Sequence, residues 1–584
     1  FNLYGRAGAM TNETWRHGIL DLDNVTVNMY NSDNMGFYNM PVAMPIARYT
    51  YKYFRTGKEW RTSVGGFTGK ANVNVYGRNN SVYLTTGISY MKHWENEGLI
   101  QSDGASNIVY SSFSYAPTLS KLVNPTDPGY LYNTNMIKLS NIKLYGDENI
   151  GMYFGSRIKG NAAKVHMEGA NELESVYGYN NKAAHIGLYQ GEIDFSAKIG
   201  EKLTIDNQNQ QTAEGNLNNT GYTDKTVDGA VGIFSESGQR VGIVARGDVM
   251  EGPTPTATEI NAHKTDPAWD RWFSYKWNNT TQRLEVDKNN IGPGYGFPMG
   301  NDFSKDPIHN LEVAKLDIRF GKYSKNGIMV LAKQGTVIDV GKNTSNYHII
   351  GVSSDITDGI NGANTLESDA STGTIVAYAE GTWDQLKHRY GSEDARIAQN
   401  DADAVAINNG AARKALTDTK ATTAAKLQGL GSEININPNV VLASKEGIAY
   451  MGDNQGIVNA MGTTEAVNYG SIIAYGKNKG VVTVNGAVKA EDKNTVSEAN
   501  KFKNIGAFAE AGGKAELKGA VTINGIGAFA KGTGSEAILS STNNDVTINA
   551  GTVGGMVATD NGYAKLNGGT INVTKDNSRL FYAD

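Results

Sequence analysis

A four-residue phrase that returns at a nearly constant interval limits what this chain can fold into more than any other feature does. Val521-Thr522-Ile523-Asn524 is followed by Val546-Thr547-Ile548-Asn549 and by Ile571-Asn572-Val573-Thr574, which sets Ile523, Ile548 and Val573 at two successive steps of 25 residues. Between them recur Gly506-Ala507-Phe508-Ala509, Gly527-Ala528-Phe529-Ala530 and Gly555-Met556-Val557-Ala558, and upstream Ile448-Ala449-Tyr450 and Ile473-Ala474-Tyr475 again differ by 25. Each unit reads as two or three strands of about three to five residues, punctuated by Gly, Asn-Gly or Gly-Gly.

A unit this short cannot bury its own apolar face. Stacking successive units in register joins the inward Val, Ile and Ala side chains into one continuous column. The predicted fold is therefore all-β, a right-handed parallel β-helix (β-solenoid) with loop insertions and a small helical excursion. A leucine-rich repeat lacks its Leu framework here, and propeller blades would run longer. Asn524, Asn549 and Asn572 recur near strand ends, where stacked amide ladders compete with plain turn chemistry as the explanation. Degenerate forms of the phrase, at Ile150-Gly151-Met152-Tyr153, Ile186-Gly187-Leu188-Tyr189, Val231-Gly232-Ile233-Phe234, Val241-Gly242-Ile243-Val244 and Gly327-Ile328-Met329-Val330, extend one solenoid through most of the chain.

Residue usage divides the 584 positions. Eleven of the 12 prolines and 38 of the 53 aromatic residues precede position 311, so decoration is expected in the first half and a plain shaft in the second. The expected divisions are an aromatic-rich cap or decorated first coils over 1–140, coils over 141–250, a Pro- and Trp-rich insertion over 251–312, coils over 313–380, an Ala-rich helical insertion over 381–432, and a regular shaft over 433–584. Glycine, at 69 residues, is spread along the whole length, as frequent turns require.

Composition excludes several functions. A net charge of −5 lacks the basic excess that phosphate-backbone binding needs, so nucleic acid is not an expected partner. The absence of cysteine removes disulfides, zinc-thiolate sites and thiol catalysis together. No run approaches the ~18 apolar residues of a membrane-spanning helix. No Gly-x-Ser-x-Gly elbow occurs, and the eight histidines never take metal-ligand spacing, so neither a cofactor nor a metal is expected and the chain does not read as an enzyme. The competing reading is a carbohydrate-active β-helix enzyme, a polysaccharide lyase or glycoside hydrolase. Its carboxylates would have to converge on one face, and pairs such as Asp355 with Asp358 or Asp302 with Asp306 do not establish that from spacing alone.

Recognition signals are stronger. Tyr49, Tyr51, Tyr53, Arg55 and Trp60 interleave aromatic and cationic side chains, the composition of binding hot spots, against the alternative of an edge strand with solvated charges. Trp269, Trp272 and Trp277 crowd three indoles into a Pro-flanked polar insertion, where they either bind or staple the insertion to the shaft. Arg246-Gly247-Asp248 follows a predicted strand and forms an integrin-type tripeptide at a turn, where Gly and Asp are also commonplace.

The phrase Gly-Ile-Gly-Ala-Phe-Ala at 525–530, its variants at 150–153 and 186–189, and polar strands such as 546–549 resemble the passenger repeats of large type V autotransporter adhesins. The Asn- and Tyr-rich, cysteine-free style over about 140–584 is similar to the fusobacterial outer-membrane adhesins, a group that includes arginine-inhibitable and galactose-inhibitable members. The resemblance implies an extracellular passenger held at the cell surface by a C-terminal outer-membrane β-barrel, which this sequence does not contain. It implies binding to a host cell-surface receptor, immunoglobulin-like or glycan, or to a surface protein of a partner bacterium, through aromatic-rich loops. A chain that folds by stacking on itself is expected to be a monomer. The sequence begins at Phe1 without a signal peptide, as an excised portion would.

Overall fold

The computed structural model describes residues 2–3, 10–12, 19–39, 65–87, 91–114, 134–156, 165–167, 171–175, 178–187, 193–196, 202–207, 226–236, 240–246, 275–278, 283–286, 315–340, 370–382, 431–491, 497, 499–573 and 575–584. Among these residues there is no helix, and strands of successive coils pair in parallel. The exception among the described strands is the hairpin Tyr275–Asn278 with Arg283–Val286, which is antiparallel. The molecule is a parallel β-helix, as the repeat requires.

A regular late coil has three faces. Ile448–Asp453 lies on the first, Ile457–Ala460 on the second and Thr464–Ala466 on the third. The chain then turns and repeats with Ile472–Lys477, Val481–Val484 and Val488–Ala490, each strand directly over its predecessor. The step here is 24 residues, and the next, from Ser471 to Asn504, is 33 because residues 491–503 form a longer turn. The helical insertion expected over 381–432 falls almost wholly outside the described residues.

Register corrects two alignments drawn from spacing. Ile448 stands under Ile472 and Met451 under Tyr475, so Tyr450 is one place out of step with Tyr475 and lies fully buried inside while Tyr475 faces out. A slip of one residue moves a side chain through the sheet to the other side, and so a match of 25 in a step of 24 paired residues of opposite fate. Likewise Ile548 stands under Ile571, whereas Val573 stands over Ala550. The Gly-Ala-Phe-Ala phrases are in true register, with Ala507, Phe508 and Ala509 under Ala528, Phe529 and Ala530. Val231–Ser235 and Arg240–Arg246, read as one phrase repeated, lie on different faces.

In the early coils the second and third faces run as single long strands, Ile19–Met29, Gly65–Val75, Met91–Ser102 and Thr134–Leu144. Register shifts at Leu22/Val25 and Asn96/Leu99 bend them. Asn96, fully buried, satisfies the bend: its Oδ1 accepts the Ala71 and Gly98 N–H groups at 2.8 and 2.9 Å, and its Nδ2 donates to the Ala71 carbonyl at 3.0 Å. Val165–Met167 and Asn171–Ser175 then stack on the two halves of Thr134–Leu144, and the bend becomes a true corner. One hydrophobic core runs unbroken from Val27 to Met556.

A second ladder runs inside the early turns. The backbone N–H of Asn34 donates to Asn80 Oδ1 at 2.9 Å, Asn80 to Asn107 at 2.8 Å, Asn107 to Asn149 at 3.0 Å and Asn149 to Asn181 at 2.8 Å. All five asparagines are at most 1% exposed. Each side chain thus satisfies a buried donor one coil away, which keeps the turn from carrying unpaired polar groups.

Candidate recognition surface

The first face builds a surface that strict alternation would not produce. In each strand an outward residue is followed by two inward residues, then alternation resumes: Ile448 out, Ala449 and Tyr450 in, Met451 out, Gly452 in, Asp453 out. Stacking turns these outward positions into three columns. The first holds Ile328, Ile375, Ile448, Ile472, Ile505 and Ile526, all half-buried.

The second column is aromatic or apolar over nearly its whole length. From Tyr153 it passes through His185, Phe234, Leu331, Tyr378 and Met451 to Tyr475, Phe508, Phe529 and Val557. Tyr475 stacks on Phe508 with centroids 4.8 Å apart, and Phe508 on Phe529 at 5.0 Å. Val231, Phe234 and Leu331 form an apolar cluster of their own with Ile328 and Tyr378, outside the main core.

The third column is charged. Lys333 pairs with Glu380 at 2.8 Å and Lys477 with Glu510 at 3.7 Å. The Tyr378 hydroxyl donates to Asp453 Oδ2 at 3.4 Å, and that of Tyr475 to Glu510. Burial first, and then the neighbouring carboxylates, raise both phenols above their ordinary range, so they stay neutral donors at physiological pH.

This arrangement has a chemical consequence. Where rings stack coil upon coil, their faces are occupied by one another and only edges point outward. A sugar needs an open ring face, whereas ring edges and isoleucine side chains offer an apolar strip suited to other apolar side chains.

One coil breaks the strip. Lys182 replaces isoleucine in the first column, and His185 replaces the aromatic in the second, edge-on to Tyr153 at 5.0 Å and tilted against Phe234 at 4.6 Å. His185 Nε2 lies 3.0 Å from Glu236 Oε1. Burial lowers the Lys182 pKa, against the pull of Glu148 and Glu236, and its Nζ donates to the Asn180 carbonyl at 3.2 Å.

The residues singled out in the sequence are largely placed elsewhere. Tyr49, Tyr51, Tyr53, Arg55, Trp60, Trp269 and Trp272, with Gly247 and Asp248, lie outside the described residues, as do Asp302, Asp306, Asp355 and Asp358. Trp277 sits in the hairpin opposite Leu284, and Arg246 ends the strand Arg240–Arg246 opposite Ser196. The third face carries the asparagine ladder: Asn549 Nδ2 donates to Asn524 Oδ1 and Asn572 Nδ2 to Asn549 Oδ1, each at 2.8 Å. Among the described residues no group of three His, Cys, Asp or Glu side chains could hold a metal ion. The aromatic column escaped the sequence reading because two inward residues separate its rings from the isoleucines; the phrase Ile-Gly-Ala-Phe was the available signal.

Comparison with family models, with curated proteins and with solved structures finds no match for this chain.

Proposed function

We propose that this chain is an extracellular passenger segment of a large type V autotransporter adhesin, displayed from a bacterial outer membrane and binding host receptors or other bacteria. The observation that supports this reading is the pairing of a solenoid having one continuous core with long stretches inserted between its coils, notably 40–64, 115–133, 287–314, 341–369 and 383–430. A stacked backbone is a stiff spacer whose loops can vary without disturbing it. The aromatic and cationic residues Tyr49, Tyr51, Tyr53, Arg55, Trp60, Trp269 and Trp272 belong to such stretches. Many weak copies on one cell add up to firm attachment.

Binding of the full chain to a glycan array, to immunoglobulin-like receptors and to whole cells tests the reading. Attachment that Arg55→Ala or Trp272→Ala removes, at unchanged melting temperature, is the expected result. Absence of binding to all three, or new reducing ends appearing from a polysaccharide, would replace adhesion by an inert spacer or by an enzyme.

A further inference from the structure

The outer strip of the first face matches a second copy of itself. Its rungs repeat every ~4.8 Å, and only another stack of parallel coils keeps that step along its whole length; an α-helix, with a pitch of ~5.4 Å, drifts out of phase. From the strand Ile328–Lys333 to Arg579–Ala583 the face spans eight coils. At ~4.8 Å per coil and ~20 Å per six-residue strand it covers about 760 Å², close to the ~800 Å² that each partner contributes to an ordinary specific interface.

We propose that two copies of this chain associate through their first faces, antiparallel, about a two-fold axis that passes between the coils of Lys477 and Glu510. The charged column carries the argument. In order it reads Lys333, Glu380, Asp453, Lys477, Glu510, Lys531, Thr559 and then Asp584, whose N–H bonds the Ala558 carbonyl at 3.0 Å. Reversed about its midpoint, it sets Lys477 against Glu510, Asp453 against Lys531, Glu380 against Thr559 and Lys333 against Asp584, with no like pair. Sliding the copy by one coil faces Lys477 with Lys477 and Asp453 with Glu510, or Glu510 with Glu510 and Lys477 with Lys531. Opposite charges at a rim fix register and exclude the slipped alternatives.

Side-chain height agrees with this register. Phe529 faces Met451, which is 8% exposed between taller neighbours, and Tyr378 faces Val557, which is 6% exposed. Each ring meets a recess rather than another ring, and the axis itself brings Tyr475 and Phe508 together. The proposal concerns a different surface from the loops assigned to adhesion and does not depend on them.

Sedimentation equilibrium of the full chain between about 1 and 100 µM is expected to show the mass approaching that of two chains. Lys531→Glu and Asp453→Lys, each acting twice in a symmetric pair, should weaken association at least tenfold, and the combined exchange should restore it. The chain has no cysteine, so register can be read directly. A mixture of Asp453→Cys and Lys531→Cys chains should form a disulfide-linked pair on oxidation, and neither chain alone should. A single mass of one chain throughout, no recovery in the double variant when all variants melt like the parent, or cross-linking of Asp453→Cys with itself would overturn the proposal.

Discussion

The early coils and the late coils solve the same packing problem with opposite distributions of bulk. At the second inward position of the first face the early coils place Phe37, Tyr83 and Tyr110, all at most 1% exposed. The late coils place Ala474, Ala507 and Ala528 there and put Tyr475, Phe508 and Phe529 one position on, outside. The cause is cross-section. An 11-residue strand such as Gly65–Val75 extends ~36 Å, and Val481–Val484 only ~13 Å, so the early coil encloses more volume and needs rings to fill it. Phe37 stacks on Tyr83 at 4.7 Å and meets Phe67 at 5.1 Å in that wider interior. Where the coil narrows, rings no longer fit inside, and those it retains become an exterior strip.

The comparison is open to test, and alkali should have the largest effect. Burial raises the phenols of Tyr83 and Tyr450 above their unfolded pKa of ~10. A group held protonated in the fold contributes stability that is complete below that pH and lost as pH climbs beyond it. Far-ultraviolet circular dichroism should therefore collapse above about pH 10, with phenolate absorbance rising at the same point. Titration of every tyrosine near pH 10 with the dichroism intact would contradict the buried assignment.

Among substitutions, Tyr83→Ala should lose about 3–5 kcal/mol in denaturant unfolding, because a ring-sized cavity cannot close in a packed interior. Asn107→Leu should lose about 3 kcal/mol, since it orphans the Asn80 N–H and removes the Nδ2 bond to the Gly77 carbonyl. Gly525 turns the third face directly into the first at φ +141°, and a Cβ there would lie 2.1 Å from the Asn504 carbonyl oxygen. Gly525→Ala should lose about 2 kcal/mol and leave the early coils unchanged. Phe508→Ala, on the outside, should lose only about 1 kcal/mol, the value of its stacking. An equal loss from Phe508→Ala and Tyr83→Ala would erase the distinction between the two regions.

The recurrence of Gly-Ala-Phe-Ala and of Thr-Ile-Asn determined the architecture without any coordinates, because a short repeated strand has no other way to bury its apolar side chains. The same letters also placed Ala507 over Ala528 and Asn524 over Asn549 correctly. Whether a ring points in or out was decided only by the tertiary structure. Tyr450 and Tyr475 share the tripeptide Ile-Ala-Tyr, yet one coil of 24 residues sends the first to the core and the second to the surface. Coil length is set by how the chain turns its corners, and that sum over three faces is not written in any one of them. The buried line from Asn34 to Asn181 was hidden for the same reason, since its members stand 27 to 46 residues apart and meet only when the coils close.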